Sequence, residues 1–167
     1  MTAILLALNL TLLVAQMSTT QQAADAAAKE RSRKAAQSQF TENFRELQLL
    51  GIGLLKAHEA GSLVPARLSR DVKAIQRRAR NLRGLLVLGA PGPVTARIDR
   101  EMRSPEEFDR AIHLLSKLVS DFAHNPIHKN TKIFDTDQAT RAATDLIAMI
   151  DLAKVIERRA RDYARSS

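Results

Sequence analysis

The sequence contains no cysteine, no tryptophan and a single tyrosine. Without cysteine there is no disulfide bond, no thiol nucleophile and no thiolate ligand for a metal. Because aromatic residues make up only 4% of the chain, a core has to be built from Leu, Ile, Val and Ala. Such a core favours helices packed on helices over a β-sandwich. The lack of cysteine leaves the compartment open, since disulfide-free exported proteins are common.

Motifs that define common enzyme sites are also missing. The sequence has no phosphate-binding GxxxxGK[ST] loop, no GxGxxG, no GxSxG and no pair of ExxH motifs. Helix capping explains the acidic pairs Glu106-Glu107 and Asp135/Asp137, because each stands where a helix is predicted to begin. We therefore predict that the protein is not an enzyme and that it holds neither a cofactor nor a metal.

Four histidines are the remaining candidates for ligands. His124 and His128 have the i, i+4 spacing of a helical metal pair, but a proline between them interrupts the helix. His113 stands opposite the apolar stripe of its helix, so we expect it to face solvent. His58 continues an apolar face, where a hydrogen-bonded histidine is the favoured interpretation and haem ligation opposite Met149 is the alternative.

Basic residues outnumber acidic ones, 26 to 18, which gives a formal net charge of +8. A charge of this size favours attraction to nucleic acid, anionic lipid or an acidic polymer. A solvated basic surface without a specific ligand is the alternative, and it is the more common outcome.

One basic amphipathic phrase occurs twice, as Lys73–Arg83 and as Lys154–Ala164, with six of eleven positions identical. In both copies the apolar residues fall at i, i+4 and i+7, which predicts two similar helices, the second arms of two helical hairpins. Chance convergence is the alternative. If the two helices are neighbours, their arginines are expected to form one polyanion-binding surface. These candidate residues are Arg77, Arg78, Arg80, Arg83, Arg158, Arg159, Arg161 and Arg165.

Residues 2–15 form a nearly uninterrupted apolar segment. As a helix it spans about 21 Å, which is shorter than the ~30 Å core of a bilayer and typical of a signal peptide. No Lys or Arg precedes it, so a membrane anchor and a buried helix stay open. We predict a signal peptide or short anchor at 1–17, a polar linker or helix extension at 18–39, and a helical bundle at 40–167.

Apolar residues from Phe40 onward recur at three- and four-residue steps, which predicts an all-α, antiparallel four-helix bundle. Gly61 is expected to end the first helix. The second is expected to open near Ser62, with Pro65 in its first turn, and to close at Gly89. The glycines within the first helix, Gly51 and Gly53, predict either close approach of a neighbouring backbone or a kink.

The last two helices carry the strongest signals. Ser104 is expected to cap the third helix in a capping box with Glu107, and the helix should end before Pro126. The fourth helix is expected to begin after Asp135. Its apolar positions should be buried and its alanines closely packed. These positions are Ala139, Ala142, Leu146, Met149, Ile150, Ala153, Ile156, Ala160 and Tyr163.

A segment of about a quarter of the chain, residues 125–150, resembles uncharacterised, exported, all-helical bacterial proteins. The resemblance implies an exported, periplasmic or secreted, helical bundle, and it brings no catalytic residues. The residues that carry it are Asn125-Pro126, Asn130, Phe134, Ala139-Thr140-Arg141-Ala142, Asp145-Leu146 and Ile150.

The sequence therefore predicts an exported, non-enzymatic structural or interaction module whose partner is an unknown protein or envelope component. The alternative is a basic binder of nucleic acid or of an anionic membrane surface. Anionic lipid or polymer is preferred to nucleic acid, because no helix-turn-helix spacing is visible and aromatic residues rarely interleave with the basic ones. The oligomeric state is left open.

Overall fold

The computed structural model describes residues 2–86, 104–128 and 136–166, with the side chains of those between 21 and 162 except Ala23 and Pro105. Within these ranges no strand occurs, so the all-α prediction is confirmed. No helix in the described part of the chain is both long and apolar enough to cross a bilayer. The elements are α1 (Thr2–Glu59), α2 (Pro65–Leu85), α3 (Pro105–His124), a 3-10 turn (Pro126–His128) and α4 (Thr136–Ser166).

The chain forms two compact units, Met1–Gln39 and Phe40–Ser167. Residues 18–39, for which a linker or a helix extension was predicted, are helical and belong to α1. Their Ala, Gln, Lys and Arg residues have high helix propensity, and pairs one turn apart add support, such as Lys34 with Glu30 at 3.8 Å. The described side chains from residue 21 to 39 are all exposed.

The first helix ends where the sequence predicts. Gly61 has φ +60, the left-handed conformation that glycine adopts without strain. Its N–H donates to the His58 carbonyl at 2.9 Å, and the Ser62 N–H donates to the Ala57 carbonyl at 3.0 Å. These are the two bonds of a Schellman motif, which satisfy carbonyls that a helix end leaves without partners.

The second helix begins at Pro65, three residues after Ser62, and Pro65 lies in its first turn as predicted. The Ser62 hydroxyl donates to the Ala57 carbonyl at 3.2 Å, so it completes the end of α1 instead of capping α2. The N-cap is Val64, which makes no side-chain cap bond, and Pro65 takes the first helical position. At the other end α2 stops at Leu85, and the predicted stop at Gly89 lies outside the described residues.

The third helix has the predicted caps. The Glu107 N–H donates to Ser104 Oγ at 3.2 Å, and the Ser104 N–H donates to Glu107 Oε2 at 3.1 Å. At the C-terminal end, Asn125 precedes a proline and has an extended ψ of 127°, so α3 stops at His124. The predicted cap of α4, Asp135, lies outside the described residues.

The core of the second unit lies between the four helices, and α4 packs against both α2 and α3. The alanines predicted to be closely packed, at 139, 142, 153 and 160, are all buried. Ile150, predicted to be buried, is only half-buried, because it stands one position beyond the fully buried Met149 and packs against the margin of the core. Its carbonyl accepts a hydrogen bond from Gln76 Nε2 of α2 at 3.2 Å. The largest fully buried side chains include Leu47, Leu54, Ile75, Leu82, Ile112, Leu115, Phe122, Leu146, Met149 and Ile156.

The two interior glycines of α1 differ in their surroundings. A Cβ at Gly51 would lie 2.8 Å from Val119 Cγ1 on α3, so the close approach predicted there exists, although the neighbour is a side chain. The Ser116 hydroxyl also donates to the Gly51 carbonyl at 3.4 Å. At Gly53 a Cβ would meet nothing within 4 Å, so packing among the described residues does not require a glycine there.

Candidate interaction surface

The outward face of α2 carries a line of four cations, Arg70, Lys73, Arg77 and Arg80, which we call the basic stripe. Their spacing of i, i+3, i+7 and i+10 places them on one side of the helix, and all four are exposed. The stripe extends over about 15 Å of helix. The opposite side is buried in the core and consists of Leu68, Val72, Ile75, Ala79 and Leu82.

Only half of the basic stripe is neutralised by acidic side chains in the described part of the chain. Arg70 Nε lies 3.3 Å from Asp71 Oδ1, and Lys73 Nζ lies 3.3 Å from Glu157 Oε1 on α4. Arg77 and Arg80 form no ion pair with any described residue. The positive charge available to a partner is therefore concentrated at Arg77 and Arg80.

Of the remaining arginines in the first copy of the phrase, Arg78 is held within the protein and Arg83 is exposed. The side chain of Arg78 is 19% exposed and forms an ion pair with Glu46 on α1. Its Nη1 donates to Asn43 Oδ1 at 3.1 Å, and this oxygen also accepts from Asn81 Nδ2 at 3.0 Å. These contacts join α2 to α1, so Arg78 stabilises the packing of the two helices and is not available to a partner.

The second copy of the phrase, in α4, offers less free charge. Arg158 is exposed, whereas Arg159 is half-buried and has a partner. Arg161 Nη2 lies 3.1 Å from Glu157 Oε1, the same oxygen that Lys73 approaches. Glu157 is only 7% exposed and accepts no hydrogen bond at that oxygen, so its contact with the two cations is electrostatic. The side chain of Arg165 lies outside the described residues.

Two exposed apolar side chains of α1 face different neighbours. Ile52, 54% exposed, lines a groove towards α3, whereas Leu49, 58% exposed, lies on the side that faces α2. Between Leu49 and α2 runs a groove of about 540 Å³. Its lining consists of Glu46, Leu49, Leu50 and Gly53 from α1 with Arg67, Arg70, Asp71 and Ala74 from α2.

The charges that line the groove balance, with Glu46 and Asp71 against Arg67 and Arg70. Asp71 is shared by two cations, Arg67 Nε at 3.5 Å and Arg70 Nε at 3.3 Å. The other lining acid, Glu46, is already paired with Arg78. Exposed, isolated leucines are common on protein surfaces, so Leu49 alone does not mark the groove as a binding site.

Near the C-terminal end of α1, His58 contacts two side chains of α3. Its Nε2 lies 3.6 Å from Asp109 Oδ1, and its ring centre lies 5.3 Å from that of His113. His58 and Asp109 line a cavity of about 270 Å³ whose other lining residues are apolar. No group of three His, Asp or Glu side chains in the described ranges is placed to hold a metal ion. Met149, the haem partner considered above, is fully buried.

Two titratable groups in the described ranges are perturbed by burial. His128 packs against the rings of Phe40, Phe44 and Phe122, and its Nε2 lies 2.8 Å from the Phe122 carbonyl. Burial lowers the pKa of His128, so the neutral ring donates this hydrogen bond near neutral pH.

Burial in α4, together with the neighbouring Asp121, raises the pKa of Asp145 to about 6 against the opposing effect of Lys117 and Arg141. Sequence reasoning missed this residue. The only signal was a carboxylate directly before Leu146, at the edge of the apolar stripe, where it faces α3. Asp145 is therefore a source of pH-dependent stability.

Comparison of the chain with known proteins gives no match. No family model matches it, and neither a curated protein nor a solved structure does. The function therefore has to be argued from the surface of the molecule.

Proposed function

We propose that this protein is a non-enzymatic interaction module that binds an anionic partner through the basic stripe of α2. The observation that carries the proposal is the exposure of Arg77 and Arg80 on the face shared with Arg70 and Lys73, without an ion pair to any described residue. Arginine presents a planar fork of donors that suits carboxylates and phosphates. Carboxylates or phosphates on a partner would therefore form ion pairs with Arg77 and Arg80 that the described residues of the bundle do not provide.

We also propose that the helices form an antiparallel bundle of two hairpins, α1 with α2 and α3 with α4. Three contacts support the antiparallel packing of α2 against α4 and the hairpin of α3 with α4. Along α2, Lys73 contacts Glu157, whereas Gln76, further on, contacts Ile150, which is earlier in α4. Asn125 at the end of α3 donates to the carbonyl of Gln138 at the start of α4 at 3.1 Å.

This arrangement limits how many of the eight candidate arginines act together. With Lys73 level with Glu157, the two arginine-rich phrases run towards opposite ends of the bundle. Arg83 and Arg161 are then separated by about 20 Å along the helix axes. The proposal therefore assigns binding to the basic stripe and not to a single surface made of both phrases.

Export to the periplasm or the cell exterior is part of the proposal. Support comes from residues 2–15, whose short apolar run is typical of a signal peptide, and anchoring by the same residues is the alternative. Cell fractionation combined with N-terminal sequencing of the mature chain separates the two. A mature chain that begins near residue 18 in the exported fraction supports export, and an intact chain in the membrane fraction supports an anchor.

The binding proposal is tested by reversing charge at Arg77 and Arg80 to Glu. The matched control reverses Lys29 and Arg33, which are exposed on α1 and change the net charge equally. Immobilised polyglutamate is the probe, and the salt concentration at elution is the measurement. The stripe variant should elute at clearly lower salt than the control while both keep their helical circular dichroism.

Equal shifts in the two variants would mean that only net charge matters, which contradicts a specific surface. A parallel measurement with duplex DNA and with anionic vesicles distinguishes the acidic-protein partner from the nucleic-acid and membrane alternatives. If the protein is retained more strongly on DNA or on vesicles than on polyglutamate at physiological salt, the partner is a nucleic acid or a membrane and not an acidic protein.

A further inference from the structure

We infer that α1 pairs with α1 of a second copy of this chain, in an antiparallel arrangement that makes the protein a symmetric dimer. The inference goes beyond the proposed function, because the surface lies on α1 and does not include the basic stripe of α2. This surface is a line of six exposed side chains, which we call the α1 seam. Its members are Glu42, Arg45, Leu49, Ile52, Lys56 and Glu59.

The spacing of the α1 seam is that of a helix which packs along another helix. Its members recur at alternating steps of three and four residues, the heptad pattern that keeps side chains in line with a neighbouring helix. Leu49 and Ile52 stand on the two flanks of this line, at the edges of different grooves. The opposite side of α1 belongs to the core, where Leu47 and Leu54 are buried. The described helices leave the seam exposed, so about 26 Å of α1 is open to a second molecule.

The order of charges along the seam selects a second copy as the partner. From one end to the other, the seam reads negative, positive, apolar, apolar, positive, negative. None of its four charged members forms an ion pair with a described residue. In an antiparallel pair, the half with Glu42 and Arg45 meets the half with Lys56 and Glu59. Each end of the contact then combines two carboxylates with two cations, whereas in a parallel pair every charge would face its own counterpart.

The register of the pair follows from Leu49, the most exposed of the large apolar side chains in the described ranges. We place Leu49 on the two-fold axis, where it contacts Leu49 of the second copy. Glu42 precedes Leu49 by seven residues and Lys56 follows it by seven, so all three lie on one side of the helix, two turns apart. In the antiparallel pair Glu42 is therefore level with Lys56 of the second copy, and the same ion pair forms twice.

The dimer also explains Gly53. Glycine inside a helix is less favourable than alanine, yet a Cβ built on Gly53 meets nothing within 4 Å, so packing among the described residues does not require it. Gly53 stands one turn after Leu49, beside the line of contact. Without a side chain there, the two copies of α1 would approach to about 8 Å, the short end of the range for packed helices.

Sedimentation equilibrium of the purified protein tests the dimer. Because the contact consists of one helix face from each copy, we expect a dissociation constant of about 10–100 µM. Leu49→Asp should weaken association at least about tenfold, since it buries two carboxylates at the two-fold axis. Val64→Asp is the matched control, because Val64 is 57% exposed and lies outside the seam, at the start of α2. This control should associate like wild type, and both variants should keep their helical circular dichroism.

Charge exchange between Glu42 and Lys56 tests the orientation and the reciprocal ion pair. Glu42→Lys sets cations against each other and Lys56→Glu sets carboxylates against each other, so each should weaken the dimer about fivefold or more. The two variants change the net charge in opposite directions, so equal weakening is not an effect of net charge. The double variant, Glu42→Lys with Lys56→Glu, restores the pair and should recover wild-type association.

Cysteine crosslinking tests the register, because the chain contains no cysteine of its own. In Leu49→Cys the two thiols meet at the axis, within the distance that a disulfide spans. Ile52→Cys is the matched control, since Ile52 is about as exposed but stands three residues further along. Its two thiols would lie about 9 Å apart along the helices. Under mild oxidation Leu49→Cys should form a covalent dimer at least about tenfold faster.

Four outcomes would overturn the inference. The first is a wild-type protein that stays monomeric up to about 500 µM. The second is a dimer that Leu49→Asp does not weaken, because its interface lies elsewhere. The third is a failure of the orientation or register, in which the double charge variant associates no better than the single ones or Ile52→Cys crosslinks faster. The fourth is dissociation by charge reversal at Arg77 and Arg80, which would place the interface on α2. Retention on polyglutamate is measured separately, so loss of the dimer and loss of anion binding are distinguishable.

Discussion

Replacement of Gly51 by alanine should destabilise the fold, although alanine is the better helix former. The new Cβ would lie 2.8 Å from Val119 Cγ1 and 3.1 Å from Val119 Cβ, distances that real Cβ atoms rarely show. Val119 is buried and β-branched, so its side chain has little freedom to rotate away. The helices α1 and α3 therefore have to separate locally.

The expected magnitude follows from two opposing effects. Alanine gains about 1 kcal/mol of helix propensity over glycine. Overpacking a well-filled core costs about 1–3 kcal/mol, and separation of the helices also stretches the hydrogen bond from the Ser116 hydroxyl to the Gly51 carbonyl. We expect a net loss of about 1–2 kcal/mol, which lowers the midpoint of thermal unfolding by roughly 3–8 °C.

Gly53→Ala is the matched comparison, because it places the same group on the same helix two residues away. With nothing within 4 Å of its Cβ, this variant should gain about 0.5–1 kcal/mol. Urea unfolding followed by circular dichroism at 222 nm measures both variants. Adding Val119→Ala to the Gly51→Ala variant should show positive coupling, since the smaller side chain removes the clash. If Gly51→Ala is as stable as Gly53→Ala, the close contact between α1 and α3 does not exist.

Three further predictions use the same kind of measurement. Asp145→Asn should raise stability at pH 7 by about 1 kcal/mol, a value reduced for the half exposure of this carboxyl. Folding raises the pKa of Asp145 from 3.8 to about 6, so the charged carboxylate destabilises the folded state increasingly as pH rises from about 4 to 6. The stability gained by Asp145→Asn should therefore vanish below about pH 4. Ser104→Ala should cost about 1 kcal/mol, and Ser104→Asp should restore most of it in thermal unfolding. Glu157→Gln should raise the salt needed to elute the protein from polyglutamate, because Lys73 and Arg161 lose their shared carboxylate.

The parts of the fold that the sequence predicted are those governed by local chemistry. The Ser104–Glu107 capping box and the Gly61 helix end depend on residues within four positions of each other. The buried alanines of α4 follow from a regular pattern along one helix. The start of α2 was predicted to within three residues, and the Ser62 hydroxyl bonds to the carbonyl of Ala57 at the end of α1.

The candidate surface was harder to predict, because exposure and pairing depend on residues distant in the sequence. Arg77 and Arg78 are identical in type and adjacent, yet only Arg78 reaches Glu46 and Asn43 on α1. The groove was not predicted, because the sequence pattern does not distinguish an exposed leucine such as Leu49 from a leucine of the core. Gly53 was noticed, but only the structure distinguishes it from Gly51.

The repeated phrase gives similar helices different roles through a few changed positions. Both copies bury their isoleucine and alanine, so the apolar part of the phrase serves the core in each. The difference lies in the polar positions, where Gln76 and Asn81 of α2 correspond to Glu157 and Asp162 of α4. The side-chain amide of Gln76 donates a hydrogen bond to a backbone carbonyl of α4. Glu157 instead places a buried negative charge between Lys73 of α2 and Arg161 of α4. The acidic substitutions reduce the charge of the α4 copy and also pair Lys73 of α2, whereas Arg77 and Arg80 are exposed without an ion pair to a described residue. If the two copies arose by duplication, this divergence would have confined the basic surface to α2, beside the groove of α1.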